Sequence, residues 1–204
     1  MNKVQLTRQQ LMKAAYIGGP TLLAASALSF SLGITIIPPG KTGYVEGVLG
    51  CFALMLFVPI YLNLSATLME RKKVLGIITM ITGLAGAVTG YGMELLRVTE
   101  YSMRLHGAGD DIWNNWYATM GMEYIGVAIL GPLFPITSLI LGFGFIITKQ
   151  YPAWIAWLLV AAGIGFPLAQ ALEIEWALKV TYPLACICWL VALTTIATRY
   201  FNKD

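Results

Sequence analysis

Long apolar runs separated by short polar punctuation dominate this chain. A run of about 20 apolar residues is long enough to cross the hydrocarbon core of a bilayer as a helix. The pattern predicts six such helices. The first covers Lys13–Ile36 and stops at Pro38-Pro39-Gly40, a strong breaker. The second covers Tyr44–Met69 and ends in the charged turn Glu70-Arg71-Lys72-Lys73. The third covers Val74–Val98, with an amphipathic extension to Leu105. The fourth covers Trp116–Thr148 and is followed by Lys149-Gln150-Tyr151-Pro152, where Pro152 starts a helix at a position that needs no N–H. The fifth covers Ala153–Leu172 and the sixth Lys179–Tyr200. Ahead of the fourth, Asp110-Asp111 reads as the N-cap of a short amphipathic surface helix reaching Trp116.

Composition sharpens this into a membrane reading. The 204 residues are 58% hydrophobic and 11% charged, against about 25% charged in a soluble domain. So few charges cannot cover the chain with a hydrated surface. Six spans use most of the length, so the chain is read as one all-α integral membrane domain, residues 1–204. The apolar run from Ala14 to Ile37 is too long for a signal-peptide core and is kept as the first helix.

Charge placement orients the bundle. Of the 13 Lys and Arg residues, Lys3, Arg8, Lys13, Arg71, Lys72, Lys73, Lys149, Arg199 and Lys203 fall on one side. Only Lys41, Arg97, Arg104 and Lys179 fall on the other. The positive-inside rule then puts both termini in the cytoplasm. The acids lie opposite, with only Glu70 and Asp204 inside. The net charge of +3 forms no basic patch, and no nucleic-acid partner is expected.

Small residues mark packing faces. Gly83, Gly86, Ala87 and Gly90 form a stripe on the third helix, where a second backbone can approach closely. Leucine at Gly86 or Gly90 is expected to destabilise severely. The stripe also offers a homodimer face. Pro59-Ile60 and Lys73 match Pro135-Ile136 and Lys149, while Gly86 and Glu94 match Gly165 and Glu173, a faint duplication of the helix 2–3 hairpin in helices 4–5. An alternative alignment of Gly19-Pro20 on Gly131-Pro132 would make the repeat inverted, as in transporters. Pro20, Pro59, Pro132, Pro135 and Pro167 are expected to kink helices.

The candidate chemistry sits at one depth. Counting about 1.5 Å per residue from Lys73 and Lys149, Glu94, Glu123 and Glu173 all reach the outer boundary of the core. They belong to the third, fourth and fifth helices. Tyr91, Trp113, Trp116, Tyr124, Gln170 and Trp176 lie nearby in sequence, and Arg97 can pair with Glu94 at i,i+3. Carboxylates and aromatic belts are also ordinary interfacial anchors. The functional expectation is an outward-opening acidic, aromatic-lined pocket with at least two carboxylates within about 8 Å, one of them holding its proton. Glu94, Glu123 and Glu173 are the expected acid–base groups, and Tyr91, Arg97, Trp113, Trp116, Tyr124, Gln170 and Trp176 the expected ligand contacts.

Several classes are disfavoured. No ionisable side chain occupies the central ~15 Å of any span, which argues against a proton or metal-ion antiporter. That zone holds hydroxyls such as Ser26, Thr82, Thr89, Thr137 and Ser138, which are expected to bond backbone carbonyls. The single histidine, His106, reads as a solvated loop residue. Cys51, Cys186 and Cys188 read as small hydrophobes. No metal site, cofactor, Walker loop, dinucleotide fingerprint, GxSxG or HExxH is found.

The stretches Gly131-Pro132-Leu133-Phe134-Pro135, Leu141-Gly142-Phe143-Gly144, Tyr151–Trp157 and Gly163-Ile164-Gly165-Phe166-Pro167 resemble those of a broad group of small bacterial six-helix membrane proteins of unassigned function. The resemblance covers helices 4–6 and implies a bacterial inner-membrane home and no particular activity. Three functions fit these features. One is binding or transport of a small amphipathic or cationic molecule. Another is acid–base catalysis on a lipid or isoprenoid. The third is service as an accessory subunit in a larger membrane complex.

Overall fold

The computed structural model of the protein describes residues 3–34, 36–37, 42–107, 110–119, 129–171 and 176–201. Apart from one pair of two-residue strands, the fold is helical. Helix α1 covers Lys3–Ser31, α2 Tyr44–Met69, α3 Lys73–Leu105, α4 Asp110–Thr119, α5 Leu133–Thr148, α6 Ala153–Ala171 and α7 Tyr182–Arg199. A π-helical turn, Ala177–Thr181, leads into α7. Between α1 and α2 the two-residue strands β1 (Ile36–Ile37) and β2 (Thr42–Gly43) pair antiparallel, with Ile36 opposite Gly43.

The second helix has the bounds that its apolar run marks. The first begins ten residues earlier than its apolar run, since the amphipathic segment before Lys13 continues as helix. The fourth expected helix is not continuous. Residues 110–119 form α4, and Ile129–Pro132 form a turn before α5. Pro132 caps α5 and Pro135 lies in its first turn, so neither interrupts a helix. Pro20, Pro59 and Pro167 do lie inside helices. The proposed duplication therefore pairs a mid-helix Pro59 with a first-turn Pro135, and the two hairpins are not equivalent at that point.

Six of the helices close a ring in which α1, α2, α3, α5, α6 and α7 each pack on the next, and α7 returns to α1. An aromatic plug fills the ring. Phe134 of α5 meets Phe57 and Tyr61 of α2, Phe166 of α6 and Trp189 of α7, with ring centroids 5.0–5.8 Å apart and tilted or edge-on geometry. Buried hydroxyls stitch the helices across this plug. The Tyr61 hydroxyl donates to the Phe134 carbonyl at 2.9 Å, and Trp189 Nε1 donates to Ser138 Oγ at 2.6 Å. As expected, Thr82, Ser26 and Ser138 bond backbone carbonyls, Thr82 within its own helix and Ser26 and Ser138 on neighbouring helices.

The outside of the ring is apolar. Phe52 and Met55 on α2, Val74, Ile81 and Val88 on α3, Phe143 and Ile147 on α5, Trp157 on α6 and Val191 on α7 are all exposed. Among the described residues, three helical segments, Tyr44–Met69, Lys73–Leu105 and Leu178–Arg199, are long and apolar enough to cross a membrane. Segments Leu133–Thr148 and Ala153–Ala169 are apolar but shorter. All three cysteines are free.

Candidate functional site

The acidic end of the bundle, opposite the 70–73 turn, holds a charged cluster between α2 and α3. Glycine on α2 is what makes room for it. A Cβ at Gly50 would stand 2.8 Å from Cγ and Cδ of Glu94, and one at Gly47 would stand 3.3 Å from Cβ of Arg97. These gaps let the Glu94 and Arg97 side chains, one turn apart on α3, lie against the α2 backbone. Arg97 Nη1 donates to Glu46 Oε1 near the start of α2 and lies 3.3 Å from both carboxylate oxygens of Glu94. Ser26 of α1 steadies the start of α2 by donating to the Glu46 backbone carbonyl at 2.9 Å.

Two carboxylates therefore share one guanidinium. Glu46 is 2% exposed and Glu94 8% exposed, so water screens neither fully, and leaving either charge unpaired would be costly. Tyr182, at the start of α7 directly after the π-helical turn, lies within electrostatic reach of Glu46, Glu94 and Arg97. Glu46 Oε2 and the Tyr182 hydroxyl are both buried beside this cluster.

Beside the cluster lies a cavity of about 380 Å³. It is walled by Leu23 of α1, Leu54 of α2, Gly90, Met93, Glu94 and Arg97 of α3, Gly131, Pro132, Phe134 and Pro135 at the start of α5, and Phe166 and Pro167 of α6. The wall is mainly apolar, with the carboxylate and guanidinium on one side. This is the composition of a site for a small organic molecule, where a few placed polar groups orient a ligand held by apolar surface.

The residues expected from sequence divide. Glu94 and Arg97 meet as an ion pair and line the cavity. The second carboxylate at the cluster is Glu46, not one of the acids expected there. Glu123, Tyr124 and Glu173 lie outside the described residues, as do the side chains of Trp116 and Gln170. Tyr91 is half-buried against the core, and its carbonyl faces the Cys51 thiol at 3.9 Å. Trp113 is buried in α4, and Trp176 is 63% exposed. None of these three is among the residues that line the cavity. Burial turns Tyr91 and Trp113 toward protein, and Trp176 stands outside the ring. His106 is exposed, its Nδ1 2.7 Å from the Ser102 carbonyl. Among the described residues no group of three His, Cys, Asp or Glu side chains could hold a metal ion.

Sequence reasoning passed over Glu46 because it stands near a helix start, where an acid is unremarkable. The available signal was Glu46-Gly47-x-x-Gly50: an acid and two glycines within one turn of an otherwise bulky helix. Methyl-sized additions test this seat. Gly50→Ala is expected to push Glu94 off Arg97 and cost about 1–3 kcal/mol. A fall in the thermal midpoint in detergent checks it, and Gly92→Ala, with open space around its Cβ, is the control.

No family model, curated protein or solved structure matches the chain.

Proposed function

We propose that the protein is a six-span bacterial inner-membrane protein, with both termini inside, that binds or transports a small amphipathic cation through this cavity. The observation that carries the reading is the cavity's pairing of an apolar wall with a cluster of two carboxyl groups around a single guanidinium. A cationic group pairs with the carboxyl side of the cluster, and the wall takes the apolar part. The exposed apolar belt around the ring supports the membrane setting, since a soluble surface does not sustain so large an apolar area. The basic residues at the 70–73 and 149 turns support the orientation.

Binding of dodecyltrimethylammonium to the purified protein in phosphatidylcholine nanodiscs tests the function. Glu94→Gln is expected to weaken it about tenfold or more, the worth of one charge-assisted contact. Equal affinity for the two forms would remove Glu94 from recognition. The orientation has its own test, using single cysteines on a cysteine-free background. At Arg71 and Lys149 they should be shielded from an impermeant maleimide in whole cells, while one at Asp111 should react. Labelling at Lys149 but not at Asp111 would reverse the topology.

A further inference from the structure

The cavity grades from an apolar mouth to a charged interior, and that gradient bears on how an occupant arrives. Met93, 39% exposed, and the exposed Pro132 form the rim. Among the described residues, the exposed side chains next to Pro132 are Ile129 and, one turn on along α5, Ile136, both hydrocarbon. Glu94, in contrast, is buried against the Gly50 surface of α2. A mouth serving water would carry polar groups at the rim. Here, among the described residues, hydrocarbon stands at the rim on the α5 side and the Glu94 carboxylate lies deeper.

We infer that the cavity opens sideways into the bilayer between α3 and α5, and that its occupant is a single-chain amphiphile with an amine headgroup, drawn from the lipid phase. This rests on the cation-binding reading above. The head meets Glu94, and the chain lies along Leu54, Phe134 and Phe166 and leaves past Met93. Of the two carboxylates, Glu94 is the one that lines the cavity, and it holds Arg97 at 3.3 Å. Glu46 keeps the closer contact with Arg97, so the guanidinium stays paired while Glu94 engages the ligand. Size agrees. At about 380 Å³ the cavity is near the lower end of the roughly 300–1,000 Å³ of small-molecule sites. It admits a headgroup with the first part of a chain and leaves the rest in hydrocarbon.

The test compares dodecyltrimethylammonium, tetramethylammonium and dodecyl sulfate on the protein in phosphatidylcholine nanodiscs, with protein-free nanodiscs as the partitioning baseline. Saturable binding of dodecyltrimethylammonium alone is expected, weakened about tenfold when Met93→Trp narrows the mouth. Pro132→Phe serves the same purpose should the Met93 variant fail to elute as folded protein. If tetramethylammonium binds as tightly and the mouth variants change nothing, lateral entry is overturned while the cation-binding reading stands. If dodecyl sulfate binds in place of the cation, the charge assignment is overturned. If folded protein binds nothing above the baseline, both readings fall together.

Discussion

Gly86→Ala is expected to abolish folded, monodisperse protein, whereas Gly90→Ala should leave it nearly as stable as the parent. The two glycines are one turn apart on α3 and look alike in sequence, where leucine at either is expected to be ruinous. The structure separates them. A Cβ at Gly86 would stand 2.1 Å from the Phe134 backbone nitrogen and 2.6 Å from the Leu133 carbonyl carbon. Both atoms are backbone at the start of α5, so α3 and α5 would have to part, opening the aromatic plug centred on Phe134. Overpacking costs about 1–3 kcal/mol where side chains can yield and more where they cannot; backbone against backbone is the second case. At Gly90 the nearest atom is Leu54 Cδ1 at 3.1 Å, the end of a flexible side chain. Gly90 also lines the cavity, so Gly90→Leu should occupy ligand space and reduce dodecyltrimethylammonium binding while the protein still elutes as a single peak. Thermal unfolding followed by size-exclusion chromatography in detergent decides the first half. Equal midpoints for the two alanine variants would mean that α3 and α5 are not in contact at Gly86.

The contrast shows what can be read from one chain. Apolar run length locates α2 and α3 closely because a spanning helix needs a certain number of residues, whatever its neighbours. It misjudges the segment before α5. A run that is apolar throughout has no periodic contrast to mark an end, and Gly131-Pro132 ends nothing unless the backbone there is known to turn. The ring order is likewise invisible, since Phe57, Phe134, Phe166 and Trp189 lie on four helices and nothing in their spacing says that they meet. Arg97 pairing with Glu94 is legible because it is local, at i,i+3. Arg97 pairing with Glu46 is not, because 51 positions of sequence separate them and only the close approach of α3 to Gly47 and Gly50 brings them together. The expected depth of Glu94 placed it at the acidic end of the bundle, where the cavity is. The partners expected from equal depth were chosen without knowledge of which helices are neighbours.

Arg97→Met is expected to be the most damaging single change at the site. It leaves Glu46 and Glu94 facing each other in a nearly dry setting with no cation between them. Removing one partner of a buried ion pair costs about 3–5 kcal/mol, because the group left behind keeps its desolvation cost and loses its compensation. Here two groups are left behind. Glu94→Gln should be far milder. The Glu46–Arg97 pair survives one-to-one, and the amide oxygen still accepts from Nη1, so a loss near about 1 kcal/mol is expected. The decisive comparison is the triple variant Arg97→Met, Glu46→Gln, Glu94→Gln. A neutral cluster removes the uncompensated charges, and replacing a whole buried ion pair is often close to neutral. The triple variant should therefore regain most of the stability that Arg97→Met loses, despite carrying two more substitutions. Such non-additivity arises only among groups in contact. It should bind dodecyltrimethylammonium no better than Glu94→Gln does, since the attracting charge is gone. Thermal midpoints of the three variants, measured side by side in one detergent, give the answer. An Arg97→Met protein that unfolds with the wild type would show the carboxylates to be bathed in water and the cluster to be an ordinary surface feature.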